Sequence, residues 1–258
     1  WPASSTTAVY MSGRPEMTAP HAAPLHLDLA TILDEPMNCL TLGGMRRLRE
    51  QIESAASACE AKTTHARPLC VSSSSAHFCC GADLQWLRSA SASHRSMFID
   101  EYLVLSEAIA TYPGLTIGLA DGPVVGGGVG LAAGLRVTIG TPRATFRLPE
   151  LALGGIPALA LPPIVRRIGS RAFTAIALTA ELLDPSRARD IGLLDVVVHD
   201  RAAGSRTAAQ LSRRAGSTTG ALFEAVNNYL RSPEEYRVVA TEIARGQWSE
   251  VDTAVRHE

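Results

Sequence analysis

One stretch restricts the folds open to this chain more than any other: Asp121-Gly122-Pro123-Val124-Val125-Gly126-Gly127-Gly128-Val129-Gly130-Leu131-Ala132-Ala133. The apolar run Leu115-Thr116-Ile117-Gly118-Leu119-Ala120 precedes it, and small apolar residues of helical character follow. This order reads as a strand, a glycine turn and a helix start. Glycine lets backbone approach a ligand and adopt dihedrals closed to other residues. A helix N-terminus adds unpaired N–H groups carrying positive partial charge. Together they form a seat for an anion or a developing oxyanion.

The rest of the chain supplies enough apolar residue to enclose such a seat. With 258 residues, 46% of them hydrophobic, it can bury one large core. The net charge of −1 gives no basic field of the kind that collects phosphates, so nucleic acid is not an expected partner. Five cysteines, Cys39, Cys59, Cys70, Cys79 and Cys80, form no CxxC pairs and have no histidines at metal spacing. They imply neither a disulfide framework nor a metal site, and they point to a cytoplasmic location. The sequence contains no apolar run of membrane-spanning length, so no membrane association is expected.

In chain order, residues 1–23, rich in Ala, Ser, Thr and Pro, read as a disordered leader, with Met11 and Met17 as candidate starts. Residues 24–199 read as the catalytic core and residues 200–258 as a C-terminal helical region. Leu25 to Leu29 alternates as a strand, and Asp34 to Asn38 reads as a loop. Thr41 caps a helix with apolar positions at Leu42, Met45, Leu48, Ile52 and Ala55. Pro68 to Ser72 is a short buried strand, and Phe78 to Leu84 turns out of it towards another helix. A long helix is expected over Met97 to Thr111, with Ile99, Leu103 and Ile109 facing inward, stopped by Pro113-Gly114. Val137 to Gly140 and Ala144 to Arg147 read as a strand pair across a turn. Two helices, Leu161 to Ile168 and Arg171 to Thr179, break at Gly169-Ser170. Asp184-Pro185 starts a helix that runs to Gly192, and Leu193 to Val198 forms a further strand. Helices fill Arg201 to Gln247, separated at Gly216 to Gly220 and at Ser232-Pro233. The class is α/β, with an all-helical end.

Two places put backbone donors after a strand: Gly81-Ala82-Asp83 and Gly126-Gly127-Gly128. Amides converging from two loops stabilise the enolate or tetrahedral oxyanion of a thioester, each worth about 3 kcal/mol when lost. Glu150 follows in Leu148-Pro149-Glu150-Leu151-Ala152-Leu153-Gly154, where apolar neighbours would desolvate it and suit it to general acid–base work. A tight turn and a helix-start glutamate are the plainer readings of these same residues. Asp83 reads as a residue that fixes its turn, His77 as a rim residue, and Cys79 and Cys80 as small strand-end residues. The Arg166-Arg167 pair reads as a solvated helix face or a subunit contact.

The combination and order of Phe78-x-x-Gly81-Ala82-Asp83-Leu84, Gly126-Gly127-Gly128, Pro149-Glu150-x-x-Leu153-Gly154 and Gly192-Leu193-Leu194-Asp195 resembles the enoyl-CoA hydratase/isomerase (crotonase) superfamily. That resemblance implies a spiral of ββα units followed by a C-terminal helical oligomerisation region, assembled as a homotrimer or hexamer. It implies an enzyme of the hydratase or dehydratase type whose oxyanion donors are the amides of Ala82 and Gly127, and whose acid–base residue is Glu150. Gly128, Gly130, Leu84 and Pro157 would line the substrate pocket. No separate cofactor is implied; the acyl group would ride as a thioester on the phosphopantetheine of CoA or of an acyl carrier protein.

In the family's two-glutamate hydratases a first glutamate lies two residues after the triple glycine, and here that position is Gly130. Single-glutamate members include enoyl-CoA isomerases and the dehydratases of polyketide β-branching cassettes, which act on 3-hydroxy-3-methylglutaryl held on a carrier protein. The second group is the closer likeness, through Pro157-Ala158-x-x-x-Pro162-x-x-x-Arg166-Arg167-Ile168-Gly169 and Gly246-Gln247-Trp248. Glycine at 130 is expected to leave room beside the substrate β-carbon for a branch. Pro36 is followed by Met37-Asn38-Cys39 and not by a cation, although Arg46 or Arg47 could meet carrier phosphate. Four other readings compete with dehydration: an enoyl-CoA isomerase, a generic enoyl-CoA hydratase, a scaffold without activity, and a dinucleotide site at Gly128-x-Gly130-x-x-Ala133. For the last, Asp121 to Val125 intervenes between strand and glycines, against the usual arrangement.

Overall fold

The computed structural model describes residues 23–60 and 66–215, with residues 219, 222, 223, 225 and 226. The leader expected over residues 1–23 lies, apart from residue 23, outside the described residues. So does most of the C-terminal helical region beyond residue 215.

Five short strands make one parallel sheet: β1 (Leu25–Asp28), β2 (Leu69–Ser72), β3 (Thr116–Ala120), β5 (Val137–Gly140) and β7 (Val196–Val197), in the order β1-β2-β3-β5-β7. Each strand neighbours one reached by a crossover, so all ladders run the same way. Every residue of β3 is buried, as a strand covered on both faces requires. A second, two-stranded parallel sheet joins β4 (Pro123–Val125) to β6 (Thr145–Arg147). The sequence reading paired the segments around β5 and β6 with each other. They belong instead to different sheets, each pairing with a strand that precedes it by some 20 residues. The strand expected over Leu193 to Val198 is confined to Val196–Val197.

The helices form where local signals place them. Asp28 caps α1 (Leu29–Leu33) through the Ala30 N–H, and Thr41 Oγ1 accepts from Gly44 N–H at the start of α2 (Leu42–Glu60). Met45, Leu48 and Ile52 of α2 are buried. Asp83 caps α3 (Leu84–Ser89) and Ser91 caps α4 (Ala92–Thr111). α4 begins before Met97, and its inner face is Phe98, Tyr102, Leu105 and Ile109; Ile99 and Leu103 are exposed at 43% and 46%. Of the three residues expected to face inward, only Ile109 does.

After α5 (Gly127–Gly134) comes α6 (Leu161–Thr179), in which Gly169 at φ 76°, ψ 161° makes the expected break. Asp184 caps α7 (Pro185–Asp190), with proline in its first turn. Asp200 caps α8 (Arg201–Arg214), which lies so close to β3 that a Cβ on Gly204 would stand 2.4 Å from Leu119 Cδ1. α8 closes a small core of Cys70, Leu115, Ile117, Leu119, Ile139 and Ala208. The main core, including Met45, Leu48, Phe78, Tyr102, Val129 and Phe146, gathers α2, α4, α5 and the second sheet. Each large side chain it buries is worth about 1.5–3 kcal/mol.

Arg167, expected on a solvated face, turns inward: it donates to the carbonyls of Gly192 and Leu135 and pairs with Asp195. Asp195 also accepts from Thr138 N–H. One arginine thus ties α6 to the loop after α7 and to the end of α5, while Arg166 is exposed.

Candidate active site

The glycine turn lies where the two sheets meet three loops. β4 runs straight into Gly126, whose backbone at φ 54°, ψ −121° excludes most side-chain-bearing residues. Its N–H donates to the Arg147 carbonyl of the neighbouring strand, which fixes the start of α5. Beside it runs the segment Cys79 to Ala82, held by Val125 N–H to the Cys79 carbonyl at 2.9 Å and by the bridge of Cys79 with Val124. Gly81 has φ 78°, and a Cβ there would be 2.7 Å from the Val125 carbonyl oxygen and 2.9 Å from Gly127 N. The two donor loops are therefore in contact at Gly81 and Gly127. Among the described residues, the N–H groups of Ala82 and Gly127 donate to no protein acceptor.

A third loop supports the first. Asn38, 2% exposed and itself at positive φ, directs its amide nitrogen to Ser73 Oγ, Ser75 Oγ and the carbonyls of His77 and Phe78, all within 2.7–3.0 Å. Leu40 N–H donates to the Gly81 carbonyl and Cys80 N–H to the Met37 carbonyl. Sequence reasoning missed Asn38. The visible signal was an amide side chain in a tight turn after Pro36, where asparagine tolerates the left-handed region.

Glu150 stands at the head of a 3-10 turn, Leu151–Leu153, and its carbonyl accepts from Gly155 N–H at 2.8 Å. Its carboxylate reaches back over the glycine turn: Oε1 lies 2.7 Å from the place a Cβ on Gly126 would take. Oε2 is buried without a hydrogen-bond partner among the described residues. Burial holds the Glu150 carboxyl above the ordinary glutamate value, because an ionised oxygen out of water and without a donor is penalised. Of the apolar neighbours expected to bury it, only Leu148 is itself buried. Leu151, Ala152 and Leu153 are all exposed, and the carboxylate lies against the glycine turn instead.

Gly130 does not leave room. A Cβ there would meet the Tyr102 hydroxyl oxygen at 2.3 Å, and Cα and Cβ of Ala160 at 2.9 Å. The side of the site that was expected to be open is filled by a phenol from α4 and by the turn before α6. Gly128 is likewise spent on packing, since a Cβ there would be 2.2 Å from the Cys79 carbonyl oxygen. Leu84 is 45% exposed at the start of α3, and Pro157 is buried, its carbonyl accepting from Leu161 N–H. Tyr102 is the second residue that sequence reasoning missed.

The remaining candidates fall into supporting places. Asp83 accepts from Gln85 and Trp86 N–H. Cys79 is buried and its thiol is pushed up to about 12 by desolvation, far from a reactive thiolate. Arg47 donates to the carbonyls of Ile32 and Leu33, while Arg46 lies 3.6 Å from Glu101. No group of His, Cys, Asp and Glu able to hold a metal occurs among the described residues, and no helix among them is long and apolar enough to cross a membrane.

A sequence model described as enoyl-CoA hydratase/isomerase matches residues 31–257. The chain belongs to the enoyl-CoA hydratase/isomerase family. Relatives within it include the enoyl-CoA hydratase ACTT6 of Alternaria alternata, 33% identical over 49% of this chain and 42% of its own. The bacillaene synthase dehydratase PksH of Bacillus subtilis is 32% identical over 46% of this chain and 46% of its own. The chain thus spans less than half the length of these curated relatives. The solved structure of Pseudomonas aeruginosa AtuE superposes with a TM-score of 0.71 at 28% identity, covering 81% of this chain and 83% of that one. Solved structures of this kind give the chain its crotonase fold, in which parallel strands and helices wind together.

Proposed function

We propose that this family member is a lyase that removes water from a 3-hydroxyacyl thioester, with 3-hydroxy-3-methylglutaryl on an acyl carrier protein as its substrate and 3-methylglutaconyl as its product. One observation carries the reading: a single carboxylate, buried and unpaired at Oε2, rests on a glycine turn whose free amide lies against a second donor loop. The likeness to a bacillaene synthase dehydratase supports the direction of the reaction.

The thioester carbonyl oxygen would rest on the N–H groups of Ala82 and Gly127, at the positive end of α5. Glu150 takes the C2 proton as negative charge develops on that oxygen. The enolate then collapses to a C2–C3 double bond as the C3 hydroxyl leaves, and Glu150 returns the proton to it, so that water departs and the carboxylate is restored. A site that raises proton affinity suits one group to both tasks.

An isomerase is the second reading, and a specific observation favours it: the Tyr102 hydroxyl takes the volume beside Gly130 in which a branch at C3 was expected to fit. Moving a double bond needs one shuttled proton and no leaving hydroxyl.

Turnover of 3-hydroxy-3-methylglutaryl carrier protein, followed by intact mass, tests the proposal. The parent is expected to lose one water, and Glu150→Gln to lose nearly all activity while keeping its fold. A Glu150→Gln variant working at the parental rate overturns the mechanism. Migration of a 3-enoyl double bond without dehydration decides for the isomerase.

A further inference from the structure

α4 delivers Tyr102 to the inner side of the glycine turn. Its hydroxyl donates to the Gly127 carbonyl at 2.9 Å, and the ring passes so close that a Cβ on Gly127 would stand 3.3 Å from Cε2. The residue is 2% exposed. Desolvation, with Cys79 and Glu150 nearby, holds the phenol proton well above its ordinary value, so the group acts as a neutral donor.

Two consequences follow from these contacts. A side chain at 130 and the Tyr102 hydroxyl compete for one space, since the Cβ alone would overlap the oxygen at 2.3 Å. Glycine at 130 and tyrosine at 102 are therefore one feature. In addition, Gly126 and Gly127 carry no Cβ to restrain them, so an anchor on the Gly127 carbonyl limits how far that residue can turn its N–H. Gly81 also closes on Gly127: a Cβ on Gly81 would lie 2.9 Å from the Gly127 nitrogen.

We propose that Tyr102 is a positioning and specificity-determining residue of this site: its hydroxyl occupies the side-chain volume of position 130, excluding a second carboxylate there, and pins Gly127 so that its N–H stays aimed at the thioester oxygen. This rests on the reading of Ala82 and Gly127 as oxyanion donors.

The test uses acetoacetyl-pantetheine, a β-ketothioester on the arm common to CoA and carrier proteins, whose enolate has its own ultraviolet band. At saturation the band reports how well the site holds an oxyanion, independently of turnover. Tyr102→Phe keeps the ring and removes the anchor. The enolate band is expected to fall about 3- to 10-fold, the worth of one neutral hydrogen bond, while the dissociation constant changes by less than about twofold; general loosening would weaken binding instead. A Tyr102→Phe band equal to the parent's overturns the proposal. A parent that binds the probe and shows no band removes the oxyanion reading itself, and this inference with it. If Tyr102→Phe fails to fold, Tyr102→Met, which likewise removes the hydroxyl and keeps an apolar side chain, carries the same expectation.

Discussion

Oε1 of Glu150 lies 2.7 Å from the point at which Gly126 would carry a Cβ. The carboxylate therefore lies against bare backbone, and its position depends on a residue that has no side chain.

Gly126→Ala should disable the site more than it disables the fold. The methyl would overlap the carboxylate oxygen, and at φ 54°, ψ −121° the backbone itself disfavours alanine by about 1–3 kcal/mol. We expect turnover to drop by about 100-fold or more, since about 1 Å of misplacement has that effect in catalysis. Steady-state kinetics beside a thermal melt check it; a variant with parental turnover would remove the carboxylate from this seat.

The raised proton affinity of Glu150 sets a sign for stability against pH. Its stabilising contribution is complete below the ordinary glutamate value of 4.5 and is lost as pH rises through the higher folded value. Glu150→Gln is neutral throughout and escapes that loss. Melting temperatures of variant and parent should therefore converge in acid and separate towards neutrality, with the variant higher. The acid limb of parental kcat/KM should fall at a pH above the ordinary glutamate value. Calorimetry and kinetics across that range decide both.

Gly128→Ala should damage the fold. Its methyl would lie 2.2 Å from the Cys79 carbonyl oxygen and 2.9 Å from the carbonyl carbon, and neither belongs to a side chain that can swing away. Overpacking of this kind costs about 1–3 kcal/mol. Denaturant titration should show that loss, and activity should fall with it, because Cys79 leads directly into Gly81 and Ala82.

Asn38→Asp should be at least as harmful as Asn38→Ala. The alanine variant loses the amide donor and leaves its partners unsatisfied, costing about 1–3 kcal/mol. The aspartate would set a buried carboxylate among two carbonyls and two hydroxyls that the amide nitrogen now serves. Equal stability of Asn38→Asp and the parent would contradict this account of the loop.

Features written in adjacent residues were legible in the sequence. Thr41, Asp184 and Gly169 each announce a helix end or break through one side chain or one missing side chain, and each acts as read. α4 was harder because Met97, Phe98, Ile99, Tyr102, Leu103, Val104 and Leu105 place apolar atoms on every side, so periodicity cannot choose the inner face. That ambiguity hid Tyr102. β5 and β6 each pair with a strand some 20 residues upstream, and β5 also with β7, whereas strands next to each other in sequence suggested a hairpin the chain does not make. The motif residues Ala82, Gly127 and Glu150 could be named from the sequence, but the space around Gly130 could not, because the atoms that fill it come from α4 and from Ala160.

The parallel order of both sheets bears on how this molecule comes into being. Among the described residues no hairpin nucleates either sheet; each ladder waits for a crossover to close, a route of high contact order and slow search. Ala82, Gly127 and Glu150, the residues proposed as donors and acid, follow a loop, β4 and β6 that those same crossovers bring side by side. Catalytic competence should therefore arrive with the last cooperative step of folding. A chain ending before β6 would carry both amides and no proton acceptor.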